Sequence, residues 1–168
     1  MNSHRGTLHD PWWKGTRGEW LVVIQFALMG LVFFGPTRVG GWPQRPFPFP
    51  ALAAYAGAAL IVIGGAVFTA GASALGDNLT PLPHPKRDAT LVQTGAYRFV
   101  RHPIYSGGIL LAFGWALLRQ GWLTVGYALV LLIFLDIKSR SEERRLEQEF
   151  PEYGDYRRRV RKLVPFLY

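Results

Sequence analysis

Cysteine is absent from all 168 residues, which excludes disulfide bonds, thiolate metal sites, a cysteine nucleophile and prenylation of the chain itself. Acidic groups are few, with 11 Asp and Glu against 19 Lys and Arg, so the net charge is +8. The four histidines, His4, His9, His84 and His102, include no pair at the i, i+4 spacing that puts two metal ligands on one helix face. A metal site is not expected. Charge of either sign is missing from four stretches, residues 20–35, 51–76, 103–118 and 121–135, and every Lys, Arg, Asp and Glu lies outside them.

What remains is apolar: 49% of the residues are hydrophobic and 14% aromatic, too much for an ordinary soluble domain of this length. The bunching of these residues predicts an all-α integral membrane protein with about four transmembrane helices. The second stretch is long enough to cross a hydrocarbon core of roughly 30 Å. The others cover roughly 24 Å each at 1.5 Å per residue, so Trp12, Trp13, Trp20, Trp42 and Trp122 and snorkelling cations are expected to complete the span. Only Arg119, Gln120 and Gly121 interrupt the apolar run from Ile104 to Leu135, which reads as a tight transmembrane hairpin. Lys14 and Arg17 before the first stretch resemble the start of a secretory signal. No small-x-small cleavage site follows, so that stretch is read as a helix.

Four spans place both termini on one side. Arg5, Lys14 and Arg17 in the amino-terminal arm, Lys86, Arg87, Arg98 and Arg101 in the central loop, and nine cations in the tail then share that side, against Arg38, Arg45 and Arg119 opposite. By the positive-inside rule the termini and central loop are cytoplasmic and face an anionic leaflet. Nucleic acid is not an expected partner, because the tail interleaves Glu142, Glu143, Glu147, Glu149, Glu152 and Asp155 with its arginines, as an ion-paired helix does.

Along the chain, residues 1–19 form a surface arm, and residues 20–76 hold two transmembrane helices joined by a connector with five prolines from Pro36 to Pro50. Glycines in the second helix offer surfaces for close helix packing. Residues 77–168 hold an extended loop, the hairpin and the carboxy-terminal helices. The fourth helix is expected to run out of the bilayer and stop at Pro151. Beyond it Tyr153, Tyr156, Val160 and Leu163 recur at helical spacing, giving a short amphipathic helix that lies on the lipid or covers a site.

Residues 91–108, LVQTGAYRFVRHPIYSGG, concentrate the chemistry. Gly95, Gly107 and Gly108 permit close approach, and Pro103 suits a helix start because its missing N–H is not needed there. Arg101 and His102 then sit at a helix mouth that favours negative charge, and Arg101 adds a planar fork that matches a carboxylate. Singly, each residue has a plainer role: Arg101 as an anchor, His102 as a helix cap, Tyr97 and Tyr105 as interfacial aromatics. Glu142 and Glu143 emerge about two turns beyond the fourth span, near the depth of the third helix's start if the two run antiparallel. Adjacent helical residues point about 100° apart, so one of the two can face a pocket squarely while the other orients a partner. An ion-paired surface with Lys138, Arg140 and Arg145 is the plainer alternative for the pair.

The order LV-x-x-G-x-Y-x-x-x-RHP-x-Y-x-G, then an apolar hairpin, an EE pair and an aromatic tail, resembles the isoprenylcysteine carboxyl methyltransferase and phospholipid methyltransferase group over roughly residues 75–166. That resemblance implies a methyltransferase core in residues 77–168 that binds S-adenosylmethionine. It implies Leu91, Val92, Gly95, Tyr97, His102, Pro103, Tyr105 and Gly107 as pocket residues, Glu142 as partner of the cosubstrate's ammonium, and Glu143 beside it. Arg101 and Glu142 are the candidate catalytic residues, Arg101 orienting a carboxylate of cosubstrate or acceptor. The implied acceptor is a lipophilic or small carboxylate, amine or thiol entering from the bilayer. The chain departs from the group at Phe150-Pro151, where members often have Phe-Gly, and its amino-terminal half matches loosely. Sterol reductases that bind NADPH share a similar RHP-containing segment and are one alternative, and a non-catalytic scaffold holding anionic lipid is another. The short chain and the EE pair favour a methyl donor.

Overall fold

The computed structural model describes residues 18–42, 47–80 and 90–164. The surface arm with Trp12 and Trp13, the cations Arg5, Lys14, Arg17, Arg45, Lys86 and Arg87, and most of the proline-rich loop after residue 80 lie outside them. Five α-helices make up the described chain: α1 Glu19–Phe34, α2 Pro50–Leu75, α3 Pro103–Arg119, α4 Trp122–Glu149 and α5 Tyr153–Arg159. Each boundary has a local cause. Pro50 and Pro103 occupy the first turns of α2 and α3, where no N–H is required. Gly35 with Pro36 ends α1, and Phe150-Pro151 ends α4.

Helices α2 and α4, at roughly 39 and 42 Å by their rise, are long and apolar enough to cross a bilayer. Helices α1 and α3 reach only about 24 and 26 Å by the same measure, as expected for spans completed by flanking groups. Large side chains point outward from the helices, with Phe34 89% and Val62 72% exposed and Trp20, Phe26, Leu52, Tyr55 and Ile133 also exposed. A surface of this kind is stable against acyl chains and would aggregate in water.

The helices sit where they do because small residues meet. Gly57, Gly64 and Gly71 recur every seven residues along α2 and face Gly114, Gly107 and Pro103 of α3. A Cβ on Gly64 would stand 2.9 Å from the Gly107 carbonyl oxygen, and one on Gly107 would stand 2.5 Å from the Phe68 nitrogen. No larger side chain fits that seam. Helix α1 packs against α4 and α3, and the buried core is Val32, Ala112, Ala128, Leu131 and Leu135.

The α3–α4 hairpin turns on Gln120, which adopts a left-handed conformation (φ 49°), and Gly121. The Gln120 side chain donates to the Pro50 carbonyl at 2.9 Å, tying the turn to the start of α2. The opposite end of the bundle therefore gathers the end of α2, the start of α3 and the charged extension of α4. That end carries the site.

Candidate functional site

A backbone clasp builds the site. After α5 the chain runs beside residues 100–102, where Val100 and Arg161 form a parallel bridge, and the N–H groups of Arg101 and His102 donate to the carbonyls of Arg161 and Lys162 at 2.8 and 3.1 Å. Ser106 Oγ donates to the Leu163 carbonyl at 2.6 Å, and Lys162 Nζ reaches Asp136 Oδ1 at 2.6 Å. The tail thus supplies acceptors to the mouth of α3 and fastens it to the exit of α4. Gly95 turns the preceding segment with φ +61°, and a Cβ there would meet Ala74 at 3.2 Å. Tyr97, in the short 3-10 turn Gly95–Arg98, accepts at its carbonyl a hydrogen bond of 2.6 Å from the Tyr156 hydroxyl. The tail helix is shorter than the spacing of Tyr153, Tyr156, Val160 and Leu163 predicts: it ends at Arg159, Val160 is extended and the chain then bonds to residues 100–102. The helix covers the site with both its tyrosines buried.

The two carboxylates divide their work. Glu143 is 4% exposed and accepts from Arg101 Nε at 2.9 Å and lies 3.1 Å from His102 Nε2. Burial would raise its carboxyl, but the hydrogen bonds and charges of His102 and Arg101 outweigh that and hold it at about 2. The same guanidinium donates through one Nη to the carbonyls of Arg157, at 3.1 Å, and Val160, so Arg101 joins α3, α4 and the tail. Glu142 points the other way, accepting a 2.5 Å hydrogen bond from the Tyr105 hydroxyl, with its second oxygen 3.8 Å from His102 Nδ1. The His102 and Tyr105 rings stack with planes 4° apart and centroids 5.5 Å apart. Although His102 occupies the cap position of α3, its side chain makes no capping bond and serves the carboxylates instead.

Beside Glu142 opens a cavity of about 520 Å³, a volume that suits a ligand of cofactor size. Of the residues singled out in the sequence, Leu91, Val92, Tyr97, Arg101, His102, Tyr105 and Glu142 line it. Gly95, Pro103, Gly107 and Glu143 do not: Pro103 and Gly107 fill the seam with α2, Gly95 shapes the turn beneath, and Glu143 lies behind Arg101 and His102. The neighbouring Gly108 does line it. Sequence reasoning missed Gln25, Met29 and Phe33 of α1, Phe68 of α2 and the buried Lys138, which binds Gln25 Oε1 at 2.6 Å and lies 3.8 Å from Glu142. Lys138 follows the last apolar run by three residues, where an interfacial anchor is the ordinary reading. The walls from Phe33, Phe68, Leu111 and Leu131 are apolar and lie along the membrane-crossing parts of the helices, while charge is confined to the end bearing Arg101, His102, Lys138 and Glu142. Burial pushes the phenols of Tyr97, Tyr153 and Tyr156 well above the usual range, so all three remain neutral donors. Among the described residues no group of three or more His, Asp or Glu could hold a metal ion.

Comparison with known proteins bears on this arrangement. The phospholipid methyltransferase family matches residues 52–153. The chain is 27% identical over 154 residues to the cobalt-zinc-cadmium resistance protein CzcN of Cupriavidus metallidurans, covering 89% of this chain and 63% of that protein. It is 32% identical over 117 residues to a probable protein-S-isoprenylcysteine O-methyltransferase of Oryza sativa, covering 67% of this chain and 61% of the rice protein. The eukaryotic intramembrane Ras methyltransferase ICMT superposes with a TM-score of 0.63 at 22% identity, covering 95% of this chain and 54% of that one, and so shares the fold. The chain spans about three fifths of the length of these sequence relatives. With the matched segment running from α2 to the start of α5 and including the Arg101-His102 and Glu142-Glu143 cluster, this all-helical membrane protein belongs to the phospholipid methyltransferase family.

Proposed function

We propose that this protein is an integral membrane methyltransferase that uses S-adenosylmethionine to methylate a lipophilic acceptor. The observation that carries the reading is the Glu142 carboxylate, set by Tyr105 and His102 into the wall of a cavity that is charged at one end and apolar at the other. The residues fit that cosubstrate. A carboxylate matches its ammonium, the Tyr97 and Tyr105 rings suit its cationic sulfur, and Leu91 and Val92 give an apolar wall. Bound there, S-adenosylmethionine supplies a methyl group activated by the positive charge on sulfur.

The protein's part is placement. Glu142 takes the ammonium while Tyr105 and His102 hold the carboxylate in one orientation, and Glu143 with Arg101 fixes His102 and the tail from behind. Arg101 is thereby a positioning residue whose cavity-facing edge remains available to a carboxylate. The acceptor's apolar part lies along Phe33, Phe68, Leu111 and Leu131, entering from the bilayer, and its carboxylate, amine or thiol meets the donor near Tyr105. Holding both reactants in attack geometry is worth up to roughly 7–11 kcal/mol, which leaves little for acid–base groups to do when the acceptor is already nucleophilic. The cationic end, with Arg98, Arg101, Arg140, Arg144, Arg157, Arg158, Arg159 and Arg161, faces the cytoplasm, because the described residues at the other end contribute only Arg38 and Arg119.

The test is to supply isotopically labelled methyl donor to membranes holding the protein or its Glu142→Gln variant and to follow label in lipids and small molecules by mass spectrometry. A labelled lipophilic product that disappears in the variant supports the reading. Equal labelling in both removes Glu142 from it, and no labelled product from any membrane fraction removes the activity.

A further inference from the structure

Tyr153 opens α5 and is 1% exposed, yet among the described residues its hydroxyl has no hydrogen-bond partner. Such an atom is out of place in a finished interior, because a buried phenol ordinarily finds a hydrogen-bond partner and leaving one without is destabilising. Tyr156, one turn on, is satisfied by the Tyr97 carbonyl at 2.6 Å. The two rings pack edge to face with centroids 5.8 Å apart, so α5 is firmly seated and the orphaned atom is not a consequence of a loose helix. Tyr153 also lines the large cavity. Burial raises its phenol well above the usual range, so the hydroxyl stays a neutral donor, and Arg101, His102 and Glu142 line the same cavity.

Resting on the methyl-donor reading above, we infer that the Tyr153 hydroxyl donates a hydrogen bond to the amino-acid end of the cosubstrate, on the carboxylate opposite the ammonium held by Glu142. A neutral phenol is well suited to this task. It adds a donor without adding charge to a site where Arg101 is paired with Glu143 and Lys138 with Glu142. A bound cosubstrate would supply the bond the Tyr153 hydroxyl lacks, so occupancy would add to the stability of the seated tail.

The experiment uses the full-length protein in detergent or nanodiscs and three probes: S-adenosylmethionine, S-adenosylhomocysteine, and 5′-methylthioadenosine, which lacks the amino-acid end. Wild-type and Tyr153→Phe proteins are compared for dissociation constants and for thermal stability without ligand. The expected result is a roughly tenfold weaker affinity of Tyr153→Phe for the first two probes, an unchanged affinity for methylthioadenosine, and an unliganded stability equal to or above wild type. Tyr153→Leu, which also loses the ring, keeps the comparison interpretable should packing matter, since it is expected to weaken all three probes. Equal affinity of wild type and Tyr153→Phe for S-adenosylmethionine overturns the inference, as does an equal loss for methylthioadenosine. Failure of wild type to bind any probe is a separate result that strikes the methyl-donor reading itself.

Discussion

Gly64 and Gly65 are consecutive residues of α2, and the same substitution is expected to act on them with opposite sign. In a helix interior, Gly→Ala gains about 0.5–1 kcal/mol by restricting the unfolded backbone. At Gly65 a Cβ meets nothing within 4 Å, so Gly65→Ala keeps that gain. At Gly64 the Cβ would stand 2.9 Å from each of the Gly107 carbonyl oxygen, Leu110 Cβ and the Leu111 nitrogen. Ordinary contact lies near 3.5–4 Å, so α2 and α3 must separate by a good fraction of an ångström. Two of the three obstacles are backbone, which cannot swing away. Overpacking of this kind costs about 1–3 kcal/mol, which exceeds the propensity gain. Thermal unfolding in detergent is therefore expected to rise for Gly65→Ala and fall for Gly64→Ala, with the difference near 2 kcal/mol by these magnitudes. Because the seam also seats Pro103 at the mouth of α3, Gly64→Ala is expected to weaken cosubstrate binding as well. Shifts of the same sign in both variants would refute the packing argument.

Three further outcomes are expected. Arg101→Met takes the nearest cation from the buried Glu143, leaving it His102 and the more distant Arg157, and removes two tail contacts, so limited proteolysis is expected to cut after α5 earlier than in wild type; an unchanged cleavage rate would contradict the clasp. Glu143 is held at about 2, below its ordinary value near 4.5, so its contribution to stability is complete above pH 4.5 and fades as pH falls toward 2. Over that window Glu143→Gln should show a flatter loss of stability than wild type in acid unfolding, and parallel curves would refute the assignment. Leu111→Trp narrows the apolar end of the cavity and is expected to raise KM for the lipophilic acceptor several-fold while leaving cosubstrate affinity intact; a loss confined to cosubstrate affinity would reverse the assignment of the two ends.

Much of this was legible from residue patterns, for reasons that can be named. The gaps in charge mark the helices because a bilayer interior forbids unpaired ions, and Pro50, Pro103 and Pro151 fix their ends to within a residue or so. The 100° step between adjacent helical residues implies that Glu142 and Glu143 face different surroundings, and they do. The sequence does not reveal which of the two turns to the cavity, because that depends on the rotation of α4 against α3, set by a seam whose glycines look alike in a string of letters. Gly107 and Gly108 illustrate it: one is pressed against α2 and its neighbour lines the cavity. Contributions from α1, such as Gln25 meeting Lys138, depend on contacts more than a hundred residues apart and leave no local trace. The tail was readable as an amphipathic helix only over Tyr153 and Tyr156, since the backbone bonds to Arg101 and His102 that extend the chain from Val160 and seat it on the site are not recorded by side-chain patterns.

The most direct measurement is the affinity of purified protein for S-adenosylmethionine, set against Glu142→Gln and His102→Ala. The account predicts saturable binding by wild type and a loss of about tenfold or more in Glu142→Gln, the worth of a hydrogen bond between charged groups, with a smaller loss in His102→Ala. Unchanged affinity in both variants, or no binding by wild type, would contradict it.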